Sequence, residues 1–519
     1  VPRATLAALA CAVLASAALP AVAPAAPAKK PKPKPGPDVS AQLQRAVTVQ
    51  GMLRHERAFA NIAERNGGTR ASGTPGFAKS RDYVVGRLQD AGYAVTVQPF
   101  DFPFFQSTAT PVLERTGDGA KAYTNGPGED FNIMQYSGSG DVTAPVTAVD
   151  VTLPPTPEPS STSGCEAADF AGFPAGDVAL LQRGTCTFSD KVDNAVAAGA
   201  SAVIIFNEGQ PGRTDSQGGT LGGPKDVPVL FTSFDVGNEL ASAAAAGPVT
   251  LHVMTATINE TRETYNVLAD TKKGDASRTI VVGSHLDSVL EGPGINDDGS
   301  GSAQDLEIAE QLPSVLKKPK NKVRFAFWGA EESGLLGSTH YVESLTQEQK
   351  DDIMANLNFD MVASPNFVRM VYDGDGSDNG GEGGPVGSDI IESLFTGYFD
   401  SRGLAHRSTP FDGRSDYGPF MDAGIPAGGT FSGAEEIKTA EEAATYGGTA
   451  GEAYDPCYHQ ACDTLANLNL QAFDEFSDAA AHAVATLAQR TTDLTDNEPQ
   501  ALAKRGPKAK RFKGPDAIR

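Results

Sequence analysis

Positive charge is in short supply. The 519-residue chain carries 42 Lys and Arg against 65 Asp and Glu, a formal net charge of −23. Nucleic-acid binding relies on clustered Lys and Arg to neutralise phosphates, so no nucleic-acid partner is expected. The acids are spread along the chain, as on a soluble surface rather than in an acidic tail. Long apolar runs are also scarce. The one candidate is residues 4–19 (ATLAALACAVLASAAL), followed by Pro20, Pro24 and Pro27. It is shorter than the ~20 apolar residues of a membrane span. With Arg3 before it and Ala21-Val22-Ala23 after it, the run reads as a secretory signal peptide over 1–23. A secreted, extracellular protein with no membrane partner is the expectation. Cysteine is rare: of five, Cys11 leaves with the signal. Cys165, Cys186, Cys457 and Cys462 remain, an even number that suits disulfides in an exported chain. Nearest-neighbour pairing gives Cys165–Cys186 and Cys457–Cys462, one of three possible connectivities. Trp328 is the sole tryptophan, and it is expected in the core rather than against a substrate.

The chain is too long for one ordinary domain, and 40% hydrophobic with 21% charged residues implies a packed core. Residues 24–40 begin with a Pro- and Lys-rich stretch that reads as an extended linker. A globular pattern starts at 41 and runs to 102, with a helix expected over 77–91 and a strand over 93–100. Residues 103–260 differ in texture. They contain a Pro/Thr/Ser-rich segment and a β-α-β pattern, DVALLQ, SDKVDNAVAAGA and SAVIIF, and are read as a domain inserted into a larger one. The larger unit resumes over 261–490. There the strands TIVVGS, KVRFAFW and NFDMV alternate with helices such as 300–312, 336–346 and 472–490. That alternation predicts an α/β fold with a mixed, mainly parallel central sheet flanked by helices. Residues 491–519 form a basic tail, read as a solvated end or a polymer-attachment segment.

Four pieces carry chemistry. In VVGSHLDSVLEGPGINDDGSGS a buried strand delivers His285, with Asp287 and Asp297 downstream. In KVRFAFWGAEESGLLGS a second strand delivers Glu331 and Glu332 into a Gly-flanked turn. Asp360 is a lone acid in the apolar strand NFDMV, and buried acids are rare unless paired or metal-bound. CYHQAC holds Tyr458 and His459 between two cysteines, where a short disulfide loop would fix both side chains. Ligands gather at the carboxyl ends of strands in open α/β sheets. His285, Asp297, Glu332, Asp360 and His459 make five metal-ligand candidates, one more than a tetrahedral zinc takes. Two zinc ions sharing one carboxylate account for the number.

These motifs resemble the secreted bacterial leucine aminopeptidases with co-catalytic zinc, of peptidase family M28. The resemblance covers residues 50–100 and 264–488. It runs through NGGTRASGTPGF, SHLDS, GINDDGSGS, FAFWGAEESGLLGS, NFDMVASPN, GRSDYGPF, GIPAGG and CYHQACDT in family order. It implies the zinc exopeptidase fold. His285 and Asp360 would hold one zinc, Glu332 and His459 the other, and Asp297 would bridge them through a residue whose following peptide bond is cis. Glu331 resembles the general base and Asp287 the acid that orients His285. Tyr458 would stabilise the oxyanion, and Arg414 in GRSDYGPF matches a position whose backbone helps hold the substrate amine. GDVALLQRGTCTFSDKVDNAVAAGASAVIIFN resembles the core of a protease-associated domain, so the insert is expected to be one. Family members can also bind a structural calcium. Asp474 and Asp478 match its acids, but Ala46 or Val47 stands where the N-terminal acid belongs, so that site is incomplete.

The resemblance implies a monomeric zinc aminopeptidase acting on peptides or proteins with a free N-terminus, with a preference for large hydrophobic residues such as Leu. The same fold hosts other activities. A zinc carboxypeptidase of the glutamate type would need a cationic pocket, for which only Arg414 and Arg407 are candidates. A one-zinc glutaminyl cyclase fits the adjacent glutamates less well. A receptor-like protein without activity would have lost metal ligands.

Overall fold

The computed structural model describes residues 38–494, except 127 and 379–382. The signal, most of the 24–40 linker and most of the basic tail lie outside the described residues. Among the described residues, no helix is long and apolar enough to cross a membrane.

One eight-stranded sheet contains β1 (Ala94–Ser107), β2 (Thr257–Asp270), β3 (Asp275–His285), β4 (Asn321–Trp328), β5 (Ile353–Phe359), β6 (Met370–Tyr372), β7 (Arg407–Thr409) and β8 (Ala427–Phe431). Their order across the sheet is β1-β2-β4-β3-β5-β8-β6-β7. The middle strands β4, β3, β5 and β8 run parallel, while β2 and β6 are antiparallel to their neighbours within this group. The mixed, mainly parallel sheet read from the sequence is therefore present. Every residue of β5 and the run Ile280–His285 of β3 are buried, as expected for strands covered on both faces. One face is packed by α1 (Val49–Arg65), α2 (Pro75–Asp90), α3 (Gly299–Val315) and α6 (Leu470–Gln489). The other carries α4 (Leu336–Ser344) and α5 (Tyr417–Asp422), where Trp328, Tyr341 and Phe420 form one aromatic cluster. Trp328 is fully buried there, as the sequence implied.

Two strands differ from expectation. β1 continues to Ser107 because β2 pairs with it along its whole length, from Ala94 opposite Asp270 to Ser107 opposite Thr257. β5 starts earlier than NFDMV and stops at Phe359. Met361 adopts φ 55°, a left-handed conformation that strands do not accommodate. The apolar pair Met361-Val362 extends the hydrophobic pattern but not the strand, so Asp360 lies just beyond a strand end instead of inside it.

A second eight-stranded sheet is built from strands between Val112 and Thr255. Its central strands, Val178–Gln182 and Ala202–Phe206, are buried at every position. Helices Phe188–Ala197 and Phe234–Ala246 pack against it. The disulfides are Cys165–Cys186 and Cys457–Cys462, the nearest-neighbour pairing.

Gly237, in the helix Phe234–Ala246, touches Phe206 so closely that an added Cβ would lie 2.0 Å from the ring. Gly237→Ala is expected to destabilise the second sheet by about 1–3 kcal/mol, the usual range for overpacking. Equilibrium urea unfolding checks this, and an unchanged midpoint would show that the helix can shift away.

Candidate metal centre

Adjacent strands deliver the site. β3 ends at His285, paired with Trp328 at the end of β4. The segment 286–298 then leads to α3 and carries Asp287 and Asp297. The turn after β4 carries Glu331 and Glu332 toward α4, and Asp360 follows β5. His459 comes from the loop closed by Cys457–Cys462. These are carboxyl ends of neighbouring parallel strands, where open α/β sheets hold their ligands. Three residues beside the acids and in the disulfide loop adopt left-handed backbone conformations: Ala330 at φ 53°, Met361 at φ 55° and His459 at φ 57°. Non-glycine residues held this way cluster at functional sites. The Asp297–Asp298 peptide bond is cis.

The structure brings the five expected ligands together. His285 Nε2 lies 3.2 Å from Asp297 Oδ1 and 3.5 Å from Asp360 Oδ1. His459 Nε2 lies 3.1 Å from Asp297 Oδ2 and 3.1 Å from Glu332 Oε2. Asp297 thus turns one oxygen toward each imidazole. Donors sharing a tetrahedral zinc with bonds of about 2.0–2.1 Å sit roughly 3.3 Å apart, and the four separations bracket that value. Glu332 Oε1 is buried with no hydrogen-bond partner. The electrostatics agree. Burial favours neutral imidazoles, yet Glu331, Asp360 and Asp297 hold His285 well above its usual pKa, and Glu332 with Asp297 does the same for His459. Burial raises Glu332 to about 7. Buried acidic side chains outnumber buried cationic ones here, and the donor set of imidazoles and carboxylates fits zinc.

Other side chains complete the surroundings. The Glu331 carboxyl is 3.9 Å from His285 Nε2. Burial raises its pKa, His285 opposes, and Asp416, Asp360 and Glu332 add to the rise. Asp287 meets the His285 ring through its carbonyl oxygen, 3.1 Å from Nδ1, while its carboxylate is 3.8 Å from that nitrogen. The same carboxylate accepts the Glu331 backbone N–H at 3.2 Å. Tyr458 stacks on His459, with ring centroids 3.8 Å apart. The Arg414 guanidinium donates to Tyr458 Oη at 3.3 Å and pairs with Glu435 at 2.7 Å. A cavity of about 160 Å³ opens over the centre, walled on its apolar side by Met361, Met370, Tyr372 and Phe431. A larger cavity of about 450 Å³ near α4 and α5 contains none of the clustered ligands.

Sequence reasoning missed several participants. Asp298 caps α3 and accepts the backbone N–H groups of His285, Gly301 and Met361. Ser415 donates to Asp360 Oδ2 at 2.6 Å, and the buried Asp416 beside it is pushed to about 7 by burial. Asp463 accepts the backbone N–H groups of Asn296 and Asp297. All lie inside the motifs GINDDGSGS, GRSDYGPF and CYHQACDT, as buried acids or as a serine beside one. Asp474 and Asp478 lie apart on α6. Asp478 is raised to about 6 by burial and Asp474. Among the described residues neither belongs to a group of three potential His, Cys, Asp or Glu ligands.

Residues 266–484 match the model of Peptidase family M28, and residues 142–240 match that of the PA domain. An aminopeptidase of Pseudomonas aeruginosa is 47% identical over 473 residues, 90% of this chain and 85% of that protein. Among solved structures, the aminopeptidase from Aneurinibacillus sp. strain AM-1 superposes with TM-score 0.68 at 29% identity, covering 88% of this chain and 97% of that one. A zinc aminopeptidase from Bacillus subtilis shares the fold, with TM-score 0.58 at 23% identity over 84% of this chain and 94% of that one.

Zinc added to chelator-stripped protein is expected to raise Tm, since a ligand at 1,000 times its Kd stabilises by about 4 kcal/mol. Asp297→Asn should remove most of that rise. A Tm insensitive to zinc would show that the cluster is no metal site.

Proposed function

This chain belongs to peptidase family M28, and from that premise we propose that it is a secreted two-zinc aminopeptidase that removes N-terminal residues from peptides one at a time. The observation that carries this reading is the sharing of Asp297 between His285 and His459, one carboxylate oxygen to each. His285 and Asp360 would hold one zinc and Glu332 and His459 the other, with Asp297 between them. When bound, the zincs would supply Lewis acidity, polarising the scissile carbonyl and making water a nucleophile near neutral pH.

The protein's own groups do the rest. Glu331 would accept the proton of the attacking water and deliver it to the departing amine. The Tyr458 hydroxyl, held beside the Arg414 guanidinium, would donate to the developing oxyanion. The substrate's ammonium would lie against Glu331 and Asp360, with the Arg414 backbone helping to place it, which restricts cleavage to free N-termini. Met361, Met370, Tyr372 and Phe431 on the cavity wall support a preference for Leu-like side chains. The carboxypeptidase alternative needs a cation available to the substrate carboxylate. The two arginines lining the cavity are each engaged by an acid, Arg407 with Glu442 at 3.0 Å and Arg414 with Glu435 at 2.7 Å. The two disulfides support the extracellular assignment.

Leucine p-nitroanilide should be hydrolysed and its N-acetylated twin should not, with activity lost on chelation and restored by zinc. Equal cleavage of both would sink the free-amine requirement. Glu331→Gln is expected to lower kcat by at least ~10²-fold, the lower end for general acid–base catalysis, with zinc content unchanged. Near-normal turnover by that variant would remove Glu331 from the mechanism.

A further inference from the structure

The sequence NGGTRASG, ahead of α2, contributes no metal ligand, yet its arginine is buried directly behind the centre. Arg70 is completely buried. Its guanidinium donates to three backbone carbonyls: Nε to Pro293 O at 2.8 Å, and the two terminal nitrogens to Leu286 O and Gly294 O. Its own N–H donates to Ser288 Oγ at 3.0 Å. The neighbouring Thr69 hydroxyl donates to Val289 O at 2.7 Å. All these acceptors lie on the segment that joins His285 to Asp297. That segment has no regular secondary structure, so side chains must satisfy its buried polar backbone.

The opposite end of the segment is held by an acidic side chain. The Asp463 carboxylate accepts the N–H groups of Asn296 at 2.8 Å and Asp297 at 3.0 Å. Asp463 directly follows Cys462, which closes the loop carrying His459. Burial disfavours the charge on Arg70, but Glu56, Asp287, Asp463 and Asp298 all oppose that effect. Glu56 is fully buried, and neither of its oxygens has a hydrogen-bond partner. It lies beside the first residue of α3: a Cβ on Gly299 would sit 2.9 Å from Glu56 Oε2. Burial holds its carboxyl well above the usual range, and the Arg70 cation opposes that rise.

We propose that Arg70 is a positioning residue of the zinc centre, its planar fork fixing the 286–294 backbone while Asp463 fixes 296–297, so that Asp297 keeps one oxygen on each imidazole. Arginine suits the task because it presents several donors in one plane and stays charged when buried. Lysine would keep the charge and lose the fork. The inference rests on the two-zinc reading, and the test separates the two.

Zinc stoichiometry and affinity are measured on chelator-stripped protein by competition with a chelating indicator, beside Tm of the metal-free protein and kcat and KM on leucine p-nitroanilide. Wild type should bind two zincs; fewer would overturn the two-zinc reading itself. Given two, Arg70→Met should weaken zinc binding by ~10–100-fold, the usual scale for residues that orient ligands. Its kcat should fall while KM stays within about twofold, and Arg70→Lys should recover part of the loss. Wild-type zinc affinity in Arg70→Met would overturn the proposal. If Arg70→Met fails to fold, the near-isosteric Asp463→Asn decides. About tenfold weaker zinc with an unchanged metal-free Tm supports the clamp, and unchanged zinc affinity overturns it.

Discussion

One shared carboxylate governs this architecture. Asp297 gives an oxygen to His285 at 3.2 Å and another to His459 at 3.1 Å, although the imidazoles come from distant parts of the chain. Burial alone would protonate such an acid, but the two imidazoles hold its carboxyl below the usual range. A group in that position tolerates little displacement, because tilting it toward one imidazole withdraws it from the other. Most of the surrounding polar structure can be understood as holding that carboxylate still. Asp298 caps α3 immediately behind it, Asp463 takes its N–H, and Ser415 steadies Asp360.

The parallel sheet sets the scale of the site. Neighbouring strands lie about 4.8 Å apart, so side chains leaving the ends of β4, β3 and β5 are already close. Turns must then bend those side chains inward, and the left-handed Ala330 and Met361 sit where this happens. Such conformations cost of order 1–3 kcal/mol each and persist only where the surroundings fix them. Ala330 packs with Phe100, Phe102 and Phe104 and donates its N–H to Ser72 Oγ, and Met361 donates its N–H to Asp298.

Legibility in the sequence followed the physics of each feature. Helices with strong periodicity emerged within a few residues of their observed ends, as over 75–90 and 470–489. His285 and Asp360 stood out because apolar packing gives no reason for a His or an acid at the end of a buried strand. Asp360 stood out as a lone acid in an apolar run but was placed inside a strand, since hydrophobicity does not encode φ at Met361. The contribution of Asp287 was harder to read. Its carbonyl faces the ring while its carboxylate serves the Glu331 N–H, and only backbone geometry distinguishes these. Arg70 escaped because its partners are carbonyls, which every residue possesses, so no pattern of side chains announces them.

The topology also explains how a second sheet can be added without disturbing this arrangement. The chain leaves the first sheet from its edge strand β1 and returns along β2, paired to it over the full length of both. Everything between Thr108 and Ala256 is therefore attached through a two-stranded ribbon at the sheet margin. The strand ends that deliver His285, Glu331, Glu332 and Asp360 belong to β3, β4 and β5, in the sheet interior. Among the described residues, no group of three potential metal ligands includes a member from 108–256. The one histidine there, His252, is engaged by Asp141 and Glu114. The insertion point at an edge hairpin lies outside the pairing of the central strands β4, β3, β5 and β8. The groups clustered around Asp297 therefore all come from outside 108–256, while Tyr136, Thr220 and Gly222 of that span line one cavity with Ser333, Gly334 and Leu335, just after Glu332.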